Sequence, residues 1–502
     1  MTLARSLSTA SMLAILAGPA FADLTAEEVL ADQLAQMAIY GLDVTTNGES
    51  RSGNALIVEG LTAIAEIPEE DFVLNMTMGG ATFTEQGDGS VIITYPDTIP
   101  LSVTVSVPDV DEDVTIDMSI TQTGLQSVAT GSADQLRYEI TGQSVSLNDF
   151  AFSGPDEAGE VDMALDVNMS GFLAVMNIAA GDVRPYDIDM VVDSMTGSMR
   201  VQDPDEEGNM DLNFSLSALK AVYEGTMAKQ GLMDSFAQVI QAGNVTRGTL
   251  AHGAANYDLM FDSPDGAFQG SASVGSGDFN FSMDEAGIDY GGTSKNLEVT
   301  FGGSAIPFPP MTIKMAENGG RFKLPVIPGE DPQDFALVMS LIGLELDPFL
   351  WSMIDPGGQL PQDPATLIID TDGEVILTQD IFAPEFAEQA MMMGPPGQIN
   401  ALNLNQLQLS LAGAELTGDG ELTFNNDSGI PMPVGVVNLM LTGGNTLLDT
   451  LVGMGLIPEE QAMGARMMTG MFARPGDGPD TLISTIEMNE DGSILANGQR
   501  IR

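Results

Sequence analysis

Apolar and polar residues alternate along this chain with a period of two, and the pattern recurs from end to end. In "PLSVTVSVP" Leu101, Val103, Val105 and Val107 fall on one side, with Ser102, Thr104 and Ser106 on the other. In "DVTIDMSITQ" the apolar set is Val114, Ile116, Met118 and Ile120, and in "EVDMALDVNMSG" it is Val161, Met163, Leu165, Val167 and Met169. The spacing returns at Leu212, Phe214 and Leu216, at Phe279, Phe281 and Met283, and at Leu407, Leu409 and Leu411. Successive side chains of a strand point to opposite faces, so each run predicts a strand with one apolar face and one face of Ser, Thr, Asn and Asp. One-sided strands of this kind belong to antiparallel sheets, because parallel sheets are covered on both faces.

Turn chemistry fits the same picture. Asp-Gly stands between strand-like runs at Asp88-Gly89, Asp372-Gly373, Asp419-Gly420 and Asp491-Gly492. Both residues tolerate the positive φ of tight turns, so each pair predicts the bend of a hairpin. The spacing between them is too irregular for a solenoid.

A few helices interrupt the strands. Thr25-x-x-Glu28 is a capping box that opens a helix with Leu30, Leu34 and Met37 on one face and Gly41 as its stop. A second is expected near Leu232, Phe236, Val239 and Ile240, stopping at Gly243, and a third from about Asp334 to Leu344. The last two form a helical hairpin. Asn445 caps a helix ending near Gly455, and Pro458-Glu459-Glu460 starts another that finishes at Arg474-Pro475, with Arg466 and Arg474 placed to complement the helix dipole. The Pro-rich stretches at 304–315 and 325–334 are the candidate joint between a β-rich region, 46–330, and a mixed α/β region, 331–502; residues 23–45 form the N-terminal helical segment.

The first residues, "MTLARSLSTASMLAILAGPAFA", change the setting. One basic residue (Arg5), a short apolar core and small residues Ala20 and Ala22 around Phe21 make up a secretory signal over 1–22, with cleavage expected after Ala22. No later run reaches the roughly 18 residues needed to span a bilayer, so the expected product is periplasmic with no transmembrane segment after cleavage. The chain has no cysteine, which removes disulfides, thiolate metal sites and cysteine nucleophiles. Against 72 acidic residues stand 16 basic ones, for a formal charge of −56. Repulsion makes nucleic acid an improbable partner. A solubilising acidic surface is the expected role of the charge, and the hydrophobic content of 43% sets the chain apart from a disordered acidic tail.

Catalytic resources are thin. His252 is the one histidine, no Gly-x-Ser-x-Gly elbow supplies a partner serine, and His252 in "TLAHGAANY" is expected in a loop or turn. Nucleotide-binding signatures are absent. Asp203, Asp205, Glu207, Gly208 and Asp211 fall at calcium-loop positions, but Phe214 stands where a bidentate Glu is required, and "PDVDEDV" (Asp109, Asp111, Glu112, Asp113) reads as a solvated turn. The 32 methionines, among them Met391 to Met393 and Met454, Met463, Met467, Met468 and Met471, could offer thioethers to Cu(I), yet Met163 and Met169 share a face with Val and Leu and favour packing. No catalytic, cofactor-binding or metal residue is therefore assigned, and no cofactor is expected. Carboxylates alone would suffice for a glycosidase-like hydrolase, which needs a close pair in a cleft; with Trp351 as the one tryptophan, the usual sugar-stacking platform is missing.

The runs "LWSMIDPGGQLPQDPATLIIDTDGEVIL", "LQLSLAGAELTGDGELTF", "MGLIPEEQAMGARMMTGMFARPG" and "NEDGSILANGQRIR" resemble the alphaproteobacterial family called domain of unknown function 2125, DUF2125. That resemblance implies no activity and carries no catalytic or binding residues with it. At the level of architecture the chain is also similar to AsmA-like envelope proteins, whose curved sheets form lipid-lined grooves, although it has no membrane anchor of their kind. The expected fold is α+β and predominantly β: large antiparallel curved sheets with a few helices, enclosing an apolar groove or forming a sandwich. The expected function is non-catalytic binding or scaffolding of lipid or another hydrophobic envelope component, with the hydrolase and an outer-membrane β-barrel as alternatives. A barrel would want aromatic girdles, and aromatics are 6% of the chain. The final strand is expected to dock into the sheet with Arg500 and Arg502 paired to carboxylates.

Overall fold

A computed structural model describes residues 23–67, 72–106, 113–154, 162–203, 208–231, 235–383, 386, 395–427 and 429–502. Residues 1–22, Val107, Asp109 to Glu112, Val161, Asp205, Glu207, Leu232 and Met391 to Met393 lie outside these residues.

The strands are β1 (Asp43–Thr46), β2 (Glu49–Ser52), β3 (Ala55–Ile67), β4 (Phe72–Glu85), β5 (Val91–Thr94), β6 (Thr98–Ser106), β7 (Val114–Thr123), β8 (Gln126–Ser132) and β9 (Gln135–Ser153). They continue with β10 (Asp162–Ala179), β11 (Val183–Asp203), β12 (Gly208–Ala228), β13 (Val245–His252), β14 (Ala255–Ser263), β15 (Gly266–Val274), β16 (Ser276–Asp284), β17 (Gly287–Gly302), β18 (Met311–Leu324) and β19 (Gln333–Glu345). The remainder are β20 (Ala365–Leu377), β21 (Gly397–Leu411), β22 (Ala414–Asn425), β23 (Met432–Thr442), β24 (Arg474–Pro475), β25 (Thr481–Met488), β26 (Ile494–Ala496) and β27 (Gln499–Arg500). The helices are α1 (Ala26–Ala38), α2 (Phe236–Gln241), α3 (Pro348–Ile354), α4 (Gly444–Gly453) and α5 (Glu459–Phe472).

All strands belong to one large, curved antiparallel sheet, as the alternation demands. The chain runs up and down through it: β3 pairs with β4, β9 with β10, β10 with β11, β11 with β12, and so on through β17, β18, β19, β20, β21, β22, β23 and β25. Several short strands are halves of one long strand. β13 and β14 lie end to end along β12, and β15 and β16 lie end to end along β17; β5 with β6, and β7 with β8, repeat the arrangement between β4 and β9.

The breaks align. Nine of the longer strands skip one step of their ladders at a matching place: Glu59 in β3, Gly80 in β4, Gln143 in β9, Gly171 in β10, Asp193 in β11, Ala218 in β12, Asn296 in β17, Ala316 in β18 and Gly343 in β19. Gly171, Ala218, Asn296 and Gly343 take positive φ there. The skipped residues stand opposite one another and the pairing register is the same on both sides, so the row of skips forms a seam across these strands.

The alternation slips at the seam. In β10 the apolar series Met163, Leu165, Val167, Met169 passes to Phe172, Ala174, Met176, Ile178. In β12 the series Leu212, Phe214, Leu216 passes to Leu219, Ala221, Tyr223. A one-residue shift would turn every side chain to the wrong face in a regular strand. Here the paired strands skip at the same level, so both halves keep their apolar series on a common face.

Helices cover parts of that face. α1 carries the capping box expected of it, with the Glu28 amide donating to Thr25 Oγ1 (3.2 Å) and the Thr25 amide to Glu28 Oε2 (2.9 Å). It buries Val29 and Leu30 against Leu56, Phe83, Val91 and Ile93. α2 places Ile240 on Ile288 and Val326, and ends before Gly243. α3, which the sequence pattern did not indicate, brings Trp351 to Leu360 and Ala412 beside Leu447 and Leu451 of α4.

Three expectations are corrected. Residues 334–344 are β19, not a helix: Phe335, Leu337, Met339 and Leu341 face one side and Ala336, Val338 and Ile342 the other, so both faces are largely apolar and a strand between two neighbours gives no clean period. Asp88-Gly89 and Asp491-Gly492 do form turns, with Gly89 at φ +83° and Gly492 at φ +76°. Asp372-Gly373 and Asp419-Gly420 instead lie inside β20 and β22. A Cβ on Gly373 would sit 2.1 Å from the Ala401 carbonyl oxygen, and one on Gly420 2.8 Å from that of Val436. Glycine serves a close backbone approach at these two positions, beside ladder irregularities on β21. Finally, Asn445 does not cap α4. Gly443 is the N-cap, and the free amides of Asn445 and Thr446 donate to Asp480 from a distant loop (3.3 and 2.8 Å).

Among the described residues, large side chains of the apolar face such as Phe261, Phe279, Phe322 and Leu337 remain substantially exposed.

Candidate binding surface

One register row crosses the apolar face from β11 to β21. Ile188 faces Tyr223, Tyr223 faces Gly248, Gly248 faces Phe281, Phe281 faces Tyr290, Tyr290 faces Phe322, Phe322 faces Leu337 and Leu337 faces Thr371, which faces Leu404. The Tyr223 ring lies over Gly248, whose missing Cβ leaves the space, since a Cβ there would fall 2.3 Å from the ring. Phe281 and Tyr290 stack with centroids 5.2 Å apart. Phe322 keeps 42% of its surface exposed and Leu337 52%. Aromatic and aliphatic cross-strand pairs stabilise the sheet, yet among the described residues no helix covers Phe322 and Leu337.

Further along the same face, α5 lies over β22, β23 and β25 and leaves a cavity of about 360 Å³ beneath it. Leu416, Leu439, Leu441, Leu482 and Ile486 form the floor, and Met468 and Phe472 the roof. The polar wall atoms are spent internally: Ser484 Oγ donates to the Phe472 carbonyl (2.5 Å) and Thr469 Oγ1 to that of Ala465 (2.9 Å). The walls therefore offer an occupant apolar contact with little demand for hydrogen bonds. Arg466 of α5 pairs with Asp449 of α4, tying the two helices.

The opposite face is mainly polar, with Leu173, Val191, Val222 and Met260 as exposed apolar residues on it. A depression of about 740 Å³ on it is lined by residues such as Asp166, Ser198, Asn213, Asp258, Met260 and Ser271, with Arg200 bonded to Asp211 at 2.6 Å. Asp211, one of the calcium-loop candidates, is thus engaged by an arginine. On the same face Asn405 bridges Asp370 and Asp372 (3.1 and 2.6 Å) and Asn403 reaches Asp372 (2.7 Å). These bonds, from Asn405 first and Asn403 second, hold the Asp372 carboxyl below its usual range. A glycosidase acid needs the opposite displacement. His252 ends β13 at the seam, and its Nδ1–H donates to the Gly253 carbonyl at 2.8 Å. Among the described residues no group of three His, Cys, Asp or Glu is placed to hold a metal ion.

The methionines divide. Met163 and Met169 are half-buried on the apolar face, as packing predicts. Met463, Met467, Met468 and Met471 of α5 are not core residues: they are 64, 69, 60 and 57% exposed.

A buried network escaped sequence inspection. Arg184 of β11 pairs with Asp32 of α1, whose other carboxylate oxygen accepts from the Tyr138 hydroxyl (2.6 Å) and from Gln36 (2.7 Å). Neither Asp32 nor Arg184 lies in a recognisable motif, and their meeting depends on how α1 docks.

Fold and surface together define an open antiparallel β-meander protein with one apolar face partly roofed by helices. Residues 294–493 match the model of the family described as an uncharacterized protein conserved in bacteria (DUF2125). The resemblance carried by the C-terminal motifs is met, and the match extends upstream of them to β17. No curated protein matches the chain. Among the described residues no helix is long and apolar enough to cross a membrane.

Proposed function

We propose that the protein is exported to the periplasm and binds or scaffolds hydrophobic envelope material, lipid before protein, along the apolar face of its sheet. The observation that carries this reading is the cavity between α5 and Leu416, Leu439, Leu441, Leu482 and Ile486, apolar on both sides and continuous with a sheet face that remains half exposed. Apolar surface left open is costly in water, and a hydrocarbon chain is the occupant such walls favour. The polar face and the charge of −56 keep the assembly soluble and discourage anionic headgroups from lying flat on it.

Native mass spectrometry and lipid extraction of the mature protein test this reading, together with displacement of a fluorescent fatty-acid probe. Bound lipid, and probe binding lost in Leu439→Asp, are expected. A protein that purifies without lipid and takes up no probe would refute it.

A further inference from the structure

Thioethers are oxidised where they are reached. Met463, Met467, Met468 and Met471 stand open to solvent on a single helix, whereas Met311 is 4% exposed. Met468 also roofs the apolar cavity, four residues from Phe472 and hence on the same side of α5. It is accessible in the folded protein and in contact with the groove at once.

We infer that α5 is an oxidation-responsive lid, with Met468 as the modification site that couples oxidant to the groove. This rests on the reading of the groove as the binding site. The step is a two-electron oxygen transfer: hypochlorous acid, or a peroxide, gives its oxygen to the thioether sulfur, which becomes a sulfoxide, while chloride and a proton, or water, leave. The sulfoxide is polar and accepts hydrogen bonds. On its cavity side, beside Leu439, Leu441 and Ile486, it finds no donor among the lining side chains, since Ser484 and Thr469 already give their hydroxyl protons to backbone carbonyls, and water satisfies it only when it faces outward. The oxidised lid is therefore less stable closed than open.

The anchoring of α5 suits such a motion. A Cβ built on Gly464 or Gly470, both inside α5, meets nothing within 4 Å, so these glycines answer no packing need, and in a helix interior glycine lowers helix stability. Two bonds to the Phe472 carbonyl, from Ser484 and from Asn497 Nδ2 (2.9 Å), hold the far end in place as a hinge.

Stoichiometric hypochlorous acid applied to the mature protein tests the idea with two readouts. Peptide mass spectrometry should show Met463, Met467, Met468 and Met471 oxidised before Met311. Tryptic cleavage at Arg466, inside α5, should accelerate by at least about fivefold after oxidation. A methionine sulfoxide reductase should reverse it, and Met468→Leu, which keeps the apolar volume, should abolish it while Met463→Leu does not. Cleavage unchanged by oxidation, or equally accelerated in Met468→Leu, would overturn the inference. Because proteolysis reports the lid without any ligand, a lid that responds in a protein that binds no probe would indict the binding reading alone.

Discussion

Asp32 and Arg184 meet as a buried ion pair across 152 residues of sequence, and their contact fastens α1 to the sheet. Arg184 also donates from Nε to the Ala179 carbonyl at 3.0 Å. Removing one partner strands a charge away from water, at a cost of about 3–5 kcal/mol, whereas replacing both with apolar residues can be close to neutral. Arg184→Ala and Asp32→Ala should each lower the denaturation midpoint strongly, and Asp32→Leu/Arg184→Met should recover part of the loss, the Tyr138 hydroxyl being left without its acceptor. Chemical denaturation of the four proteins checks it; additive losses in the double variant would show that the pair is not a unit.

The same network sets an alkaline limit. Burial first, and the bond to Asp32 second, raise the Tyr138 phenol above its ordinary range. The folded state then keeps a proton that the unfolded chain gives up near pH 10, roughly, so this stabilisation is intact below that pH and is lost as pH rises toward the folded value. Tyr138→Phe should flatten part of the decline in stability above about pH 9. Tyr95 and Tyr186, whose phenols burial also raises, contribute in the same direction. An identical pH profile for the variant would count against the assignment.

Two Asp-Gly pairs of equal appearance should respond differently to alanine. Gly492→Ala meets only a positive φ and should cost about 1 kcal/mol. Gly373→Ala drives a methyl group into the Ala401 carbonyl and should cost about 3 kcal/mol, with the strand shifting to make room. Thermal unfolding of the two variants separates a turn glycine from a strand glycine.

The C-terminal strands dock as expected, but by other means. β26 pairs with β25, and Asn497 is the anchor: its amide donates to the Thr485 carbonyl (2.8 Å) and its side-chain oxygen accepts from the Thr485 amide (3.0 Å). Arg500 donates to the Arg502 carbonyl at 2.8 Å, and among the described residues neither arginine forms an ion pair with a carboxylate. Deleting residues 494–502 should therefore lower Tm clearly, Asn497→Ala should reproduce much of the drop, and Arg500→Ala should change little. A larger effect from Arg500 than from Asn497 would reverse this account.

Asp480 reaches α4 from outside the helix. Its burial raises the carboxyl pKa, but the amide and hydroxyl of Thr446 and the Asn445 side chain lower it by more, leaving it below the usual range. A depressed carboxyl stabilises above its unfolded pKa of about 4 and loses that contribution as pH falls through the folded value. Asp480→Ala should cost about 1 kcal/mol at neutral pH. The difference from the parent protein should shrink in acid, as urea titrations at pH 7 and pH 3, roughly, would register.

Local pattern determined much of this protein. Strict alternation committed Leu212, Phe214 and Leu216 to one face of an antiparallel sheet, Thr25 and Glu28 to a helix start, and Gly89 and Gly492 to turns, because in each the energetic choice is made by residues within a turn or a pleat of one another. The slip from Met169 to Phe172 was also present in the sequence. Its meaning was not, because one misplaced residue reads as noise until the neighbouring strands are seen to misplace theirs at the same level. Tertiary structure alone decided that Phe335 to Leu341 pair as a strand, that Gly373 yields to a carbonyl, that Asp480 caps α4, that Asp32 finds Arg184, and that the α5 methionines stand open while Met163 packs. Each of these depends on what an element lies against, and the free energy of that contact is set by residues far away in the chain.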